Sequence, residues 1–361
     1  MSKAYSVYVH IPFCLKKCNY CDFLSFPNSK DQEKYVEYLI KEISMYNLSK
    51  IKTLYFGGGT PSLLSCENIK KIISSLKVNR ETEITIEVNP KTVDFEKLKN
   101  LRQIGINRIS IGVQTFNDKF LKILGRDHNS QDAIECYRNS VLSGFDNISL
   151  DLIYSIPGQN ISDLIKDLEI LFKLSPHHFS IYSLIWEEGT HLFEKLKDKT
   201  LNVTENELEA EMFEKIIEEA TSNGYKHYEI SNFSKNNFES KHNINYWKND
   251  EYIGIGLGAS GYYKNKRYKN VSNFNDYFSM IDASLFPIDK KEIEILDTDE
   301  TQKYKYILGL RMLDYKIKID EKYTEIAKKL FEEGYIKIED DFISITEKGI
   351  MFYNDVVLNF I

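Results

Sequence analysis

Three cysteines, Cys14, Cys18 and Cys21, stand at C-x3-C-x2-C spacing within the stretch from Tyr8 to Phe23. An alternating apolar run from Tyr5 to Ile11 leads into them. That run reads as a strand, and Pro12 cannot continue it. The three thiolates are therefore expected in a loop at the C-terminal end of a strand. Three thiolates suit a [4Fe–4S] cluster whose fourth iron has no protein ligand and is open to an outside molecule. A closed zinc site wants four ligands. His10 is a candidate fourth, but alternation along the strand does not obviously aim it with the cysteines. A disulfide would leave an odd thiol. Cys66 and Cys136 are isolated, so the five cysteines do not form a secreted disulfide framework.

Other chemistry-bearing residues recur at the ends of predicted strands. Phe56-Gly57-Gly58-Gly59-Thr60-Pro61-Ser62 follows the second strand. Its glycines let backbone groups approach a ligand closely. No Gly-Lys-Ser or Gly-Lys-Thr follows, so it is not a P-loop. Glu87, Gln114, Arg126 and Asp151 each interrupt or follow an apolar strand-like run. A buried carboxylate or amide is costly unless partnered. One such residue reads equally well as a satisfied core group. Four at one sheet end are better explained by a polar ligand. Carboxylates suit ribose hydroxyls, and the Arg126 fork suits a carboxylate.

Strand-like and helix-like runs that alternate from residue 5 to about residue 185 must position these groups. The predicted strands cover 7–10, 53–56, 84–88, 108–112, 148–154 and 179–182, with helices between them. Asp31, Asp94 and Asn117 or Asp118 can N-cap, while Gly105 and Gly144 fit left-handed C-caps. The pattern predicts a parallel sheet with crossover helices, an incomplete (β/α)6 barrel. Residues 204–223 read as an acidic amphipathic helix capped by Thr204. The glycine-dense stretch Gly254–Gly261 lacks the strand–helix setting of a dinucleotide fingerprint and is expected to close over the ligand pocket. Two helices and a hairpin after residue 296 resemble a winged helix, an α+β module whose acidic hairpin argues for packing or a partner rather than DNA. The expected division is 1–200, 201–295 and 296–361.

Hydrophobic residues make up 42% and charged residues 28%, an ordinary globular balance. A net charge of −7 gives a nucleic-acid partner no electrostatic support. The N-terminus shows no apolar signal core, and no run is long enough to span a bilayer, so a cytoplasmic location is expected.

The cysteine spacing resembles the radical S-adenosylmethionine (SAM) superfamily. There, SAM chelates the open iron through its amino and carboxylate groups, and one electron cleaves it to a 5′-deoxyadenosyl radical. The strings YVHIPFC, FGGGTPS, IEVNP, RISIGVQTF, LGRDH and LDLIYSIPGQ narrow the likeness to the oxygen-independent coproporphyrinogen III oxidase family. This resemblance covers about two-thirds of the chain. The family holds an oxidase, which decarboxylates two propionates, and a shorter haem-chaperone group. The oxidase carries a further cysteine where this chain has Phe23, and a longer segment before the triplet, where only 13 residues precede Cys14. The stretch His242-Asn-Ile-Asn-Tyr246-Trp247 resembles an HNxxYW motif that the oxidase lacks. All three differences point to the chaperone group. The resemblance implies SAM contacts at Tyr8, Tyr20, Gly58, Gly59, Thr60, Glu87, Gln114, Arg126, Asp151 and Ser183. It implies haem as a further cofactor with His242 as its candidate iron ligand, haem-accepting proteins as partners, and peripheral membrane association through a respiratory partner. On the residues alone, His242 reads as well as a hydrogen-bonded core histidine. No role is expected for His177, His178, His191 or His227.

Overall fold

The computed structural model describes residues 4–27 and 31–361. Its elements begin with β1 (Tyr5–Ile11), α1 (Gln32–Met45), β2 (Ile51–Gly58), α2 (Cys66–Ser74), β3 (Glu83–Val88), α3 (Phe95–Gln103) and β4 (Arg108–Gln114). They continue with α4 (Asp118–Leu124), α5 (Ser130–Leu142), β5 (Ile148–Tyr154), α6 (Ile161–Leu174) and β6 (His178–Ser183). Strands β1 to β6 pair in sequence order, all parallel. The sheet does not close on itself, as expected of an incomplete (β/α)6 barrel.

Strand alternation builds this barrel. Val7, Val9, Ile11, Leu54, Phe56, Ile84, Ile86, Ile109, Ile111, Leu150 and Phe179 are buried in one core with Leu39, Ile43, Ile69, Ile72, Leu98 and Leu101 of the helices. The intervening residues face the other way. They are Tyr8 and His10 on β1, Thr53 and Tyr55 on β2, Thr85 and Glu87 on β3, Arg108 and Ser110 on β4, Ser149 and Asp151 on β5, and His178 and Ser180 on β6. One face of the sheet is thus apolar and covered by helices, and the concave face is polar from end to end.

The next elements are α7 (His191–Lys197), α8 (Asn206–Ser222), β7 (Lys226–Glu229), β8 (Asn232–Ser234), α9 (Lys241–Trp247) and β9 (Tyr252–Ile255). Then come β10 (Ser260–Tyr263), β11 (Lys266–Lys269), α10 (Phe274–Asp282) and β12 (Glu294–Ile295). Strands β7 and β8 extend the sheet beyond β6, while β9 pairs parallel to β1 and carries β10 to β12. Residues 224–295 therefore widen the barrel sheet instead of forming loops around it. Thr204 does not cap α8: its hydroxyl donates to the Ser155 carbonyl at 3.0 Å, and the helix starts two residues later. Asp94 and Asn117 cap as expected, whereas Asp31 makes no side-chain cap bond.

A second core, from Tyr306 to Phe360, joins α11 (Thr298–Gly309), β13 (Ile317–Lys318), α12 (Thr324–Glu332), β14 (Ile336–Glu339), β15 (Phe342–Ile345), α13 (Glu347–Met351) and α14 (Tyr353–Leu358). This is the winged-helix-like module, with a third two-residue strand and two short terminal helices that the sequence pattern did not resolve.

The glycine-dense loop after β9 packs behind the cysteine loop. Gly256 and Gly258 have φ of +101° and +69°, and side chains there would strike Tyr35 and Leu24. Glu42 of α1, fully buried, holds this loop. It accepts from the Gly256 amide at 2.8 Å, the Tyr277 hydroxyl at 2.7 Å and the Asn270 amide at 2.9 Å. Burial pushes its carboxyl from 4.5 up to about 7 despite these donors. The folded state therefore holds the Glu42 proton more tightly than the unfolded state. Stability from this group is present at low pH and lost as pH rises from about 4.5 to about 7, by roughly 3 kcal/mol. In anaerobic urea unfolding at pH 5 and pH 8, Glu42→Gln should lose less stability between the two pH values than the parent. Equal losses would show that Glu42 does not titrate in this range.

Candidate functional site

The cysteine loop crosses the C-terminal ends of the strands and is tied down at several points. The Cys14 amide donates to Phe26 O at 3.1 Å, and the Phe26 amide returns to Pro12 O at 2.8 Å. Asn19 donates through its backbone to Leu124 O and through its side chain to Ile123 O, both at 2.9 Å, and accepts from the Leu192 amide at 2.8 Å. Gly125, at φ +73°, makes room for Asn19, since a Cβ would lie 2.6 Å from its Cγ. Below the loop, Tyr20 packs on a satellite core of Phe120, Leu124, Ile153, Ile156, Leu184 and Leu192. Nothing in the sequence pattern marked Asn19; its role depends on where α4 and α7 end in space.

The three thiols are free and half-buried. Cys14 Sγ lies 3.5 Å from Thr60 Oγ1, and Arg126 Nη1 donates to Cys18 Sγ at 3.4 Å. Among the described residues, no three Cys, His, Asp or Glu side chains are drawn together tightly enough to hold a metal ion. The fit to a cluster rests instead on the donor set, three free thiols on one pinned loop. Burial, and next the Cys18 and Cys14 charges, push the Cys21 thiol up to about 11, opposed by the Phe23 amide. Metal binding must displace that proton. His10 cannot be a fourth ligand. Its Nε2 donates to Leu24 O at 2.8 Å, and its Nδ1 lies 3.1 Å from the Tyr8 hydroxyl.

The glycine motif sits directly beneath. At Gly59 a Cβ would meet Phe13 O at 2.6 Å; at Gly58, with φ +111°, it would meet the His10 ring at 2.6 Å. The Gly59 and Thr60 amides donate to Ile11 O and Phe13 O at 2.9 and 2.7 Å. These glycines thus let β2 pass close under the cysteine loop, and a side chain there would disturb the loop as well as any ligand. At Gly57 a Cβ would meet the Tyr8 ring at 2.8 Å, the Tyr55 ring at 3.0 Å and Glu87 Oε1 at 3.2 Å. Gly57 is what allows those three side chains to converge. Burial pushes the Glu87 carboxyl up to about 7, opposed by the Tyr55 hydroxyl that donates to it at 2.9 Å. A cationic ligand group beside it would draw it back toward the carboxylate.

Gln114 and Arg126 meet over Gly112, where an added Cβ would lie 2.9 Å from the Gln114 amide nitrogen and 3.5 Å from Arg126 Nη2. Arg126 also donates to Gly112 O at 2.9 Å, and its buried Nε has no partner. Asp151 accepts from Ser110 Oγ at 2.8 Å and Ser149 Oγ at 3.1 Å, and burial raises its carboxyl. Tyr8, Tyr20, Thr60, Glu87, Gln114, Arg126 and Asp151 therefore gather at one end of the barrel with the thiols. Ser183 does not join them. Strand alternation puts it on the helix side, where its hydroxyl donates to Glu209 of α8 at 2.7 Å. Tyr55, Ser110 and Ser149 were missed, although the same alternation that marked Glu87 and Asp151 could have found them.

His242 lies at the opposite end. Its Nδ1 is 2.7 Å from Thr53 Oγ1 and its Nε2 is 2.8 Å from the Tyr246 hydroxyl, and its ring stacks on Tyr55 at 5.0 Å. The His242 amide donates to Glu83 Oε1 at 3.1 Å, and Asn245 accepts from Ser6 Oγ at 2.9 Å. Ser6, Thr53 and Glu83 all stand near the N-terminal ends of their strands. Helix α9 thus packs under the N-terminal halves of the strands, with the Tyr55 ring between His242 and Gly57. Beside it, His178 bonds Ser149 through Nδ1 and Tyr228 through Nε2, both at 2.8 Å, with Arg108 Nη2 3.4 Å from Nδ1. With α9 seated, both ring nitrogens of His242 are taken by Thr53 and Tyr246. The ring is buried, and burial pushes its pKa down to about 3.

The sequence pattern of the radical SAM superfamily matches residues 8–171. Two curated relatives are similar from end to end. "Heme chaperone HemW" of Lactococcus lactis subsp. lactis (strain IL1403) is 35% identical over 100% of this chain and 98% of its own length. Its namesake in Bacillus subtilis (strain 168) is 35% identical over 97% of both chains. The chain belongs to the HemW family of radical SAM proteins. Among solved structures, the coproporphyrinogen III oxidase HemN of Escherichia coli has the same fold, with a TM-score of 0.86 over 99% of this chain and 90% of its own, at 21% identity. As radical SAM proteins, HemW chains are built for a [4Fe–4S] cluster and SAM. When bound, these supply an open iron and an electron for SAM. The donor set above is compatible with both groups: three thiols in one loop, Glu87 and Asp151 for cationic and hydroxyl groups, and Arg126 with an unused buried donor.

Proposed function

We propose that the chain is a haem chaperone, which binds haem and delivers it to haem-accepting proteins while holding a [4Fe–4S] cluster on Cys14, Cys18 and Cys21 and SAM on the residues around them. The observation that carries this reading is the full-length identity of 35% to HemW relatives. Phe23, 60% exposed, stands where the oxidase has a further cysteine, which supports the same reading. Among the described residues no helix is long and apolar enough to cross a membrane.

The fold of HemN favours a second reading, SAM-dependent decarboxylation of coproporphyrinogen III. Parallel assays on the anaerobically reconstituted protein separate the two. Haem retained through gel filtration, with no SAM-dependent loss of coproporphyrinogen, is expected. Robust protoporphyrinogen formation with no haem retention would replace the chaperone reading by the oxidase. Axial ligation by His242 would require α9 to leave its seat, because both ring nitrogens are engaged there.

A further inference from the structure

Gln114 holds a conformation that a side chain rarely adopts. Its φ is +68°, at a bulge where the pairing of β4 with β5 shifts between Gly112 and Gln114. A non-glycine residue persists there only when its surroundings over-determine it. The Thr115 amide closes this turn on Val113 O at 3.0 Å, and four further hydrogen bonds flank it. Arg126 Nη2 donates to Gly112 O at 2.9 Å, and His128 Nε2 donates to Val113 O at 3.0 Å. Asp167 of α6 accepts from Thr115 Oγ1 at 2.5 Å and from the Phe116 amide at 2.8 Å.

Asp167 is an unusual residue for its place. It is 3% exposed, on the helix face that also buries Leu164, Leu168 and Leu171. Among the described residues no Lys, Arg or His lies within ion-pair distance of it. A carboxylate on an apolar helix face is costly unless donors compensate it. Its two donors belong to the two residues that immediately follow Gln114. His128 is likewise buried, and its only bond is to the residue that immediately precedes Gln114; its Nδ1 has no partner.

We propose that Asp167, with His128, is a positioning residue. Together they clamp both flanks of Gln114 in the left-handed conformation, so that its amide lies over Gly112 beside Arg126 and the cysteine loop. The inference rests on Gln114 being a SAM contact.

The test uses the full chain, anaerobically reconstituted, with SAM affinity from equilibrium dialysis and EPR of the reduced cluster before and after SAM. Asp167→Asn keeps the size but leaves one acceptor, which the Phe116 amide takes; the new –NH2 can only donate to Thr115 Oγ1, so the charge-assisted bond from that hydroxyl is lost. About tenfold weaker SAM binding is expected, the scale of one lost hydrogen bond. Iron content and the EPR signal without SAM should not change. Gln114→Ala alone should cost a similar factor. In the Gln114→Ala background, Asp167→Asn should cost no more than about twofold, since the side chain it positions is gone. The same tenfold loss in both backgrounds would mean that Asp167 acts on overall structure and would overturn the clamp. Unchanged SAM affinity in Gln114→Ala would instead overturn Gln114 as a contact, and the clamp with it. If Asp167→Asn does not fold, Thr115→Val removes one donor at nearly constant shape, and an effect confined to the Gln114 background is again the expected result.

Discussion

Cys14→Ala, Cys18→Ala and Cys21→Ala should each abolish the four-iron signal of the reconstituted protein. Three protein thiolates hold such a cluster, and two do not. The structure offers no replacement: both nitrogens of His10 are bonded within the fold, and Thr60 beside Cys14 is a weak ligand for iron. Cys66 lies on α2 with its thiol 3.9 Å from Lys97 O, and Cys136 is buried, with burial pushing its thiol up to about 12. Both stand on helices apart from the cysteine loop, so Cys66→Ala and Cys136→Ala should keep full iron and sulfide content. Iron, acid-labile sulfide and EPR in the reduced state give the answer. A complete four-iron signal in any one of the three loop variants would remove that cysteine from the ligand set.

His242→Ala should destabilise the protein by about 3 kcal/mol, and this should be its main effect. The substitution empties a buried site under Tyr55 and leaves the Thr53 and Tyr246 hydroxyls without a partner. Cavity formation and the stranded polar groups each contribute about 1–3 kcal/mol. Tyr246→Phe, which removes only the Nε2 partner, should cost about 1 kcal/mol. With α9 seated, neither variant removes an iron ligand, so the Soret band of the folded, haem-loaded protein should stay in place. Urea unfolding and the haem spectrum, measured on the same samples, decide the matter. A shifted Soret band with undiminished stability would show that α9 opens and that His242 is an iron ligand after all.

The contrast between these two residue sets shows what each level of description carries. The cysteine triplet needs only a strand, a proline stop and a loop, all short-range features, and its function is written in its spacing. The barrel was equally legible, because apolar residues at alternate positions in six strands specify one buried face. Glu87, Gln114 and Asp151 follow from that alternation, since each faces the polar side of its strand, whereas Arg126 reaches them from the loop after α4. The reach of the sheet was not legible. Residues 226–295 add short strands at both edges, and strands of two to four residues carry too little periodicity to read.

The fate of single polar side chains depended on tertiary structure alone. His242 sits in an HNxxYW motif that reads as a ligand set, yet Thr53 and Tyr246, brought together by β2 and α9, engage both nitrogens, and Tyr55 stacks on the ring. Ser183 lies one residue from the concave face, and that one-residue offset turns it toward Glu209. Asn19 and Asp167 carry no motif at all, and they matter because the last turn of α4 and one face of α6 reach the cysteine loop and the Gln114 turn. Covalent spacing and strand parity are properties of the chain, so the sequence determined the gathering of three thiols in one loop and the polar lining of the barrel. Which lone pairs remain free depends on neighbours distant in sequence, and only the folded structure decided that.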